Sequence, residues 1–282
     1  MVNKQYSIAQ IKKHEMSIII SLAANEGWNP GLYDEKCFYQ ADPNGFFLGK
    51  LGDKVIAVGS GVKYKNEFAF FGLYIVEQAY RGRGYGMDLT KAIFQYMGDI
   101  NIGLDGVPDM QNKYEKFGFK IAHYNARYCG KLKTYLLLNE AIVDMASIPL
   151  EVLFEFDRQY FPAQRDDFLK SWLAQPDSKA LGYWQRDKLL GYGVIRRCIR
   201  GFKIGPLFAK SPEIADALFL SLTAHANGEE IFLDVIEDNI EAIRLVNRHG
   251  LEKVFTTARM YTKQQPNINI QHIYGITTFE LG

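Results

Sequence analysis

The sequence repeats the same order of landmarks in its two halves, and this repetition restricts the folds open to it. Each landmark is a glycine or aspartate beside an apolar stretch, and its partner lies 129 to 134 residues further along. A nearly constant offset over five landmarks indicates a duplicated domain. The 282 residues also suffice for two domains of ordinary size. The five pairs are Gly49 and Gly182, Asp53 and Asp187, Gly72 and Gly205, Asp105 and Asp234, and Gly118 and Gly250.

Hydrophobic spacing gives each half the same succession of helix, loop, strands, turn, helix, strand, helix and strand. No low-complexity linker separates the halves, so we expect them to pack closely, with a boundary within 131–148. The predicted elements of the first half are a helix over 11–24, strands over 55–64 and 68–76, a helix with apolar positions from Leu89 to Met97, a strand over 100–104, a helical stripe of Met110, Tyr114 and Phe117, and a strand over 120–130.

Charge, cysteines and hydropathy exclude several classes of protein. Thirty-three basic and 32 acidic residues nearly cancel, whereas nucleic-acid binders usually carry a basic excess. Cys37, Cys129 and Cys198 form neither a disulfide framework nor a CxxC pair, and the histidines have no ligand spacing, so we assign no metal. The first residues lack a signal-peptide core, and no apolar run approaches the roughly 20 residues that a bilayer requires. We therefore expect a cytoplasmic protein that binds no nucleic acid and no membrane.

The stretch YRGRGYG, from Tyr80 to Gly86, follows an apolar strand and precedes a helix. This arrangement suits phosphate, because the first amides of a helix lack partners and carry the positive end of its dipole. Glycine lets an oxygen approach the backbone, and arginine adds charge-assisted hydrogen bonds. The stretch is not a Walker A loop, because Met87 and Asp88 follow Gly86 where Lys and Ser or Thr are required. It also departs from the GxGxxG of dinucleotide folds and kinases, because Met87 occupies the third glycine position.

Two motifs, correctly spaced and on the appropriate elements, resemble the GNAT superfamily of N-acetyltransferases. Arg81 to Gly86 matches the Arg/Gln-x-x-Gly-x-Gly/Ala of the acyl-CoA loop, and Tyr114 to Phe119 matches the later Tyr-x-x-x-Gly-Phe. Residues 26–31, 42–46, 259–261 and 274–282 resemble tandem GNAT proteins whose second domain is of the YitH/HolE type.

This resemblance implies an α/β (α+β) fold of two tandem GNAT-like domains. Each would have a mixed, mostly antiparallel sheet flanked by helices. We expect an acyl-CoA-binding GNAT domain over 1–135 and a degenerate GNAT-like domain of the YitH/HolE type over 140–282.

Neither half keeps the whole family pattern. Pro206 and Pro212 stand near the position of the glycine turn in the second half, and proline removes amide donors. We therefore expect only the first half to bind acyl-CoA. At the positions of Asn-x-x-Ala-x-x-x-Tyr, the first half has Val107, Met110 and Tyr114, and the second has Asn239, Ala242 and Val246.

The resemblance also implies roles for residues around the glycine turn. The strand backbone would pair with the pantetheine arm, an amide at the strand end would polarise the thioester carbonyl, and the turn amides would hold the pyrophosphate. Tyr114 would protonate the leaving thiolate, although a thiol pKa of about 8.5 makes that thiolate a fair leaving group unaided. The cofactor-binding residues are thus Tyr74, Ile75, Val76, Arg81, Gly82, Arg83, Gly84, Tyr85 and Gly86.

A base must remove the proton of the acceptor amine. Glu77, at the end of the strand over 68–76, is our candidate catalytic base, and Asp105, at the end of the next strand, is a second candidate. Either residue also fits a solvated or capping carboxylate. Trp28 either walls the acceptor site or packs in the core.

The function that we expect is direct transfer of an acetyl group from acetyl-CoA to the primary amine of a small molecule, an amino acid or amine, in a ternary complex. The alternative is a non-catalytic acyl-CoA-binding or sensor protein, which the degenerate second half favours and Tyr114 disfavours. A dinucleotide-dependent oxidoreductase is a third hypothesis, weakened by the missing glycine. The sequence does not define the acceptor, the acyl chain or the oligomeric state.

Overall fold

The computed structural model describes residues 5–132 and 139–282. Within the first range, the strands and α-helices are β1 (Tyr6–Gln10), α1 (Met16–Asn25), α2 (Asp34–Ala41), β2 (Phe46–Leu51), β3 (Lys54–Tyr64), β4 (Phe68–Val76), α3 (Tyr85–Met97), β5 (Asn101–Gly106), α4 (Gln111–Glu115) and β6 (Lys120–Lys131).

The second range repeats this order and adds one short strand. Its elements are β7 (Ile142–Asp144), α5 (Leu150–Asp157), α6 (Asp166–Leu173), β8 (Ser178–Gln185), β9 (Lys188–Arg197), β10 (Phe202–Ala209), α7 (Pro212–Thr223), β11 (Glu230–Ile236), α8 (Ile240–Arg248), β12 (Glu252–Tyr261) and β13 (Ile273–Gly275). The repeat of sequence landmarks is therefore a repeat of structural elements.

All of these strands belong to one thirteen-stranded sheet, in the order β1-β2-β3-β4-β5-β12-β6-β11-β10-β9-β8-β7, with β13 beside β10. Strand β12 of the second half lies between β5 and β6 of the first. Strand β6 lies in turn between β12 and β11. Each half thus contributes a late strand that pairs with a strand of the other half.

The predicted fold class is confirmed. Among the described strands, the pairs β4–β5 and β10–β11 are parallel and the other pairs are antiparallel. Helices flank the sheet because their apolar residues recur on one side; in α3, Leu89, Ile93 and Met97 are buried at four-residue intervals. None of the helices within 5–132 and 139–282 is long and apolar enough to cross a bilayer.

The predicted boundaries need three corrections. The first helix begins at Met16, after a 3-10 turn over Lys13–Glu15, rather than at residue 11. Strand β1 was not predicted, because it is a short edge strand with no buried position, and helix α2 and strand β2 were not predicted either. Helix α4 ends at Glu115, so Phe117 lies beyond it.

The domain limits stay a prediction. Residue 135 lies outside the described residues, and residue 140 comes just before β7. The halves pack closely around buried contacts such as the ion pair between Asp34 and Arg196, whose Oδ1 and Nε atoms are 2.8 Å apart.

Candidate active site

The parallel ladder between β4 and β5 ends at the pair Phe71 and Leu104, and the strands separate beyond it. At this point Leu73 has a φ of +49°, and the register between β3 and β4 shifts. Such a bulge bends a strand and re-aims its groups. The edge of β4 that faces β5 therefore has no ladder partner from Gly72 onward among the described residues. A cavity of about 740 Å³ opens in the gap, and Tyr74, Ile75 and Val76 line it.

The glycine turn forms the far wall of the same cavity. Gly82 and Gly84 have φ values of +76° and +89°, which glycine adopts without strain. Gly84 is the N-cap of α3, and a Cβ at either glycine would project into open space. Within the part of the chain that the structure describes, the N–H groups of Gly82 to Gly86 donate no hydrogen bond. Five consecutive free donors at the positive end of a helix dipole are suited to a diphosphate.

The other predicted turn residues have separate functions. Arg81 stiffens the loop, because its Nε atom donates to the Val76 carbonyl oxygen at 2.8 Å and its guanidinium pairs with Glu26 at 2.5 Å. Arg83 forms no ion pair with a described residue, so its charge is available to an anion. Gly86 allows α3 to pack on β4, since a Cβ there would lie 2.1 Å from the Tyr74 hydroxyl oxygen.

Tyr114 lines the cavity opposite the unpaired edge of β4. Its ring packs against Phe71 and Phe119, with centroid distances of 6.3 and 6.2 Å. Its hydroxyl group forms no hydrogen bond with any residue in the described ranges. Burial raises the pKa of Tyr114 above its usual value, so the group keeps its proton at neutral pH. The side chain therefore carries a proton at the cavity wall, although its raised pKa makes it a weaker acid than a free tyrosine.

The two candidate bases lie in different surroundings. Glu77 is not among the residues that line the cavity, and its carboxylate pairs with Lys54 at 2.7 Å near the surface. Asp105 does line the cavity, but Arg259 binds both of its oxygens, at 2.8 and 2.7 Å, and Asn125 donates to Oδ1 at 2.7 Å. The geometry favours neither residue as the base.

The second half of the chain supplies a further part of the cavity lining. Phe255 and Thr257 come from β12, Phe279 and Glu280 come from the 276–282 segment, and Trp28 comes from the loop before α2. The sequence left Trp28 open between the acceptor wall and the core, and it did not single out the other four. Phe279 and Glu280 lie within residues 274–282, whose resemblance to a subfamily says nothing about where that stretch packs, and no signal in the sequence identified Phe255 and Thr257.

In the second half, the chain itself fills the groove that corresponds to this cavity. The equivalents of Tyr74 and Ile75 are Leu207 and Phe208, and they pair with Gly275 and Ile273 of β13. Strand β13 therefore occupies the edge of β10 that an acyl-CoA arm would need. The Ser211 hydroxyl accepts a hydrogen bond from the Ile214 N–H, at the helix start that would otherwise face the phosphates.

Two family models match the chain: the acetyltransferase (GNAT) family over residues 12–119 and an acetyltransferase (GNAT) domain over residues 153–275. Together they cover more than half of the 282 residues. The chain belongs to the GNAT superfamily. It is a tandem GNAT protein and an acyltransferase, as the sequence motifs predicted. GNAT proteins generally use acetyl-CoA, and the GNAT fold implies acyl-CoA binding.

Relatives of this GNAT protein match it over nearly its whole length. It is 29% identical over 269 residues to holothin acyltransferase of Pseudoalteromonas sp. strain SANK 73390, covering 95% of the chain and 92% of that protein. It is 23% identical over 280 residues to the uncharacterized N-acetyltransferase YitH of Bacillus subtilis strain 168, covering 96% and 98%. Its fold matches a crystal structure from Pyrococcus horikoshii, described as a candidate acetyltransferase, with a TM-score of 0.84 and 23% identity over 100% and 98% of the two chains.

Proposed function

We propose that this GNAT protein transfers an acetyl group from acetyl-CoA to the primary amine of a small molecule, by direct transfer in a ternary complex. The observation that carries this proposal is the meeting of three features in one cavity. These are the unpaired edge of β4, the five free N–H groups from Gly82 to Gly86, and the unpartnered hydroxyl of Tyr114.

The donor side fits an acyl-CoA molecule. The amides of Gly82 to Gly86 would hold the pyrophosphate, and the guanidinium of Arg83 would add a charge-assisted contact. The backbone of Tyr74, Ile75 and Val76 would pair with the amides of the pantetheine arm, as a further strand pairs with an open edge. The 740 Å³ cavity joins these two surfaces, so that one extended molecule can contact both.

The chain's own residues supply the remaining chemistry. A free amide near the bulge of β4 would donate to the thioester carbonyl oxygen and stabilise the negative charge that develops there. Tyr114 would donate its proton to the leaving thiolate. None of the cavity-lining residues in the described ranges is a cysteine, in agreement with a transfer that needs no enzyme nucleophile.

The acceptor side favours an uncharged or cationic amine over an amino acid. Its walls are the aromatic side chains of Trp28, Phe255 and Phe279. The basic group there, Arg127, is bound by Asp234, with Nε to Oδ1 at 2.6 Å and a second contact at 2.8 Å. A carboxylate on an acceptor beside these aromatic residues would meet an Arg127 already bound by Asp234, and it would face Glu280. An amine on a compact apolar body suits this pocket better.

Two measurements test the proposed function. Calorimetry with acetyl-CoA is expected to show one molecule bound per chain, because β13 fills the second groove. Release of free CoA is then followed with a panel of primary amines, amino acids, polyamines and peptides. Holothin belongs in the panel, because the Pseudoalteromonas relative is named for its acylation.

The outcomes separate the alternatives. Acetyl-CoA binding without thiol release for any amine would favour the non-catalytic sensor. Binding of a nicotinamide dinucleotide in place of acetyl-CoA would overturn the whole assignment.

A further inference from the structure

The segment from β13 to Gly282 passes through both halves of the molecule. Strand β13 lies in the groove of the second half, and the carbonyl oxygen of Thr277 packs where a Cβ at Gly205 would lie, 2.4 Å away. Further along, the carbonyl oxygen of Glu280 packs in the same way against Gly72, at 2.1 Å from a Cβ placed there. Gly72 and Gly205 are equivalent positions of the repeat. The segment therefore runs from β10, beside Gly205, to the equivalent position of β4, beside Gly72.

This path places the buried carboxylate of Glu280 at the wall of the cavity. Glu280 is 4% exposed, yet it lines the cavity together with Tyr74 and Tyr114. Among the described residues, only the Thr278 hydroxyl donates a hydrogen bond to its side chain, at Oε2. No described cation lies within ion-pair distance of the carboxylate, and Oε1 is left without a partner.

Among the described residues, Asp42, Lys203 and Glu280 are buried without an ion pair. Asp42 accepts a hydrogen bond from Tyr96 and the Lys203 ammonium donates to the Asn29 carbonyl oxygen, and of the three residues Glu280 alone lines the cavity. Each buried arginine has its own carboxylate: Arg127 pairs with Asp234, Arg165 with Asp157, Arg196 with Asp34 and Arg259 with Asp105. Burying a charge is costly unless the charge is paired. Glu280 lacks such a partner, and its open side faces the space where an acceptor binds. An ammonium group of the acceptor would supply the missing charge.

We infer that Glu280 is the base of the transfer: it binds the acceptor ammonium and removes its proton. This inference rests on the proposed function. One ammonium proton passes to the Glu280 carboxylate. The amine nitrogen then forms the C–N bond to the acyl carbon as the C–S bond breaks. Tyr114 donates its proton to the leaving thiolate, the second nitrogen proton then passes through solvent to the Tyr114 phenolate, and Glu280 releases its proton to water.

The surroundings of Glu280 are consistent with this role. Burial raises the pKa of Glu280, and the negative charge of Asp34 acts in the same direction. Lys203, Arg127 and Arg196 oppose this shift from neighbouring elements. A base with a raised pKa accepts a proton more readily at neutral pH. Because the base acts only when ionised, activity falls as the pH drops through this raised pKa.

The test is the variant Glu280→Gln. It is assayed with the amine that gives the highest wild-type rate in the panel, and with the hydroxylamine that carries the same substituent as that amine. We expect kcat/KM for the amine to fall about 100-fold or more. The hydroxylamine is already neutral at the assay pH, so its rate is expected to fall far less. Affinity for acetyl-CoA should stay within about twofold, since the substitution leaves the glycine turn intact. Glu229→Gln, at a surface glutamate paired with Arg197, is the matched control.

The pH profile supplies a second readout that a purely structural role would not move. In the wild type, the rate falls on the acidic side as Glu280 becomes protonated. In Glu280→Gln, only free neutral amine reacts, so the rate should rise about tenfold per pH unit up to the pKa of the amine. Thr278→Val keeps the carboxylate and removes its hydrogen bond. This variant should shift the acidic limb to higher pH, because that bond stabilises the ionised form.

The results can exclude Glu280 as the base without contradicting the proposed acetyl transfer. If Glu280→Gln binds acetyl-CoA and keeps the wild-type rate and pH profile, Glu280 is not the base. The same follows if the amine and the hydroxylamine lose equal activity, or if Glu77→Gln removes the acidic limb. If Glu280→Gln does not fold, an unchanged acidic limb in Thr278→Val overturns it. A wild-type protein without thiol release for any amine would instead count against the proposed function itself.

Discussion

Tyr114 combines a packed ring with a hydroxyl group that has no partner among the described residues. The ring is fixed by Phe71, by Phe119 and by Gly106, where a Cβ would lie 2.9 Å from it. The core role and the catalytic role considered for this residue are thus compatible. Packing fixes the ring at the wall of the cavity.

The substitution Tyr114→Phe separates these two roles. The ring and its packing remain, so we expect the thermal midpoint and the affinity for acetyl-CoA to change little. The proton donor is lost, and we expect kcat to fall by about 10²-fold. Steady-state thiol release and calorimetry measure the two quantities on the same preparation. A variant with the wild-type kcat would assign Tyr114 to packing alone.

The sequence predicted that the residues proposed to bind acyl-CoA lie close together, but it did not predict which residues of the second half join them. Tyr114 and the residues from Arg81 to Gly86 lie within one local run of elements, so spacing alone places them near each other. Gly72 and Glu280 are 208 residues apart and meet only because the last segment crosses both halves. A single sequence contains no periodicity that reports such a contact. The sequence therefore offered only strand-end carboxylates, Glu77 and Asp105, as candidate bases, and it could not single out Glu280.

At the scale of the elements, the turn before α3 uses its glycines for two physical reasons. Gly82 and Gly84 adopt positive φ with open space above them, whereas Gly86 has no room for a Cβ beside Tyr74. The first two positions shape a surface for a ligand. The third sets the distance between a helix and a strand. Spacing in the sequence identified the turn without distinguishing these reasons.

Alanine substitutions test this division. Gly84→Ala puts a side chain at a φ of +89°, which costs about 1–2 kcal/mol, and places a methyl group where the diphosphate would lie. Losing one charge-assisted contact is worth about 1.5–3 kcal/mol, so we expect acetyl-CoA to bind about 10- to 100-fold more weakly. Gly250→Ala, at a φ of +68° outside the cavity, is the matched control and should lose stability but keep its affinity.

Gly86→Ala should behave in the opposite way to Gly84→Ala. Its Cβ would overlap the Tyr74 hydroxyl, so we expect a loss of about 1–3 kcal/mol in the free energy of unfolding. Urea denaturation measures this loss, and calorimetry measures the affinity of the protein that remains folded. If Gly84→Ala bound acetyl-CoA as tightly as Gly250→Ala, the turn would not be the diphosphate site.

At the scale of the whole molecule, the duplication was readable from the sequence, but the exchange of strands was not. The repeat reports which elements each half contains, and the hydrophobic pattern of β12 is the same whichever strand it joins. Its neighbours are decided by tertiary packing. In the structure, β12 pairs with β5 through residues such as Ala258 and Gly106, and β6 pairs with β11 through Ala126 and Val235.

This exchange makes each half incomplete without the other. A fragment ending at residue 132 would expose one edge of β5 and both edges of β6, and unpaired edges favour aggregation. It would also lack Phe255, Phe279 and Glu280 from its cavity. We therefore expect residues 1–132 and residues 139–282, expressed separately, to aggregate or to lack a cooperative unfolding transition. Expressed together, the two fragments should form a soluble 1:1 complex that binds acetyl-CoA.

Size-exclusion chromatography, thermal unfolding and calorimetry distinguish the outcomes. The intact chain should unfold in a single transition, because separating the halves breaks the central part of the sheet. A fragment 1–132 that unfolds cooperatively and binds acetyl-CoA by itself would show that β12 is dispensable. In that case the acceptor wall contributed by the second half would be an addition to a complete domain. The expected result is that donor site and acceptor wall form only when the shared sheet is whole.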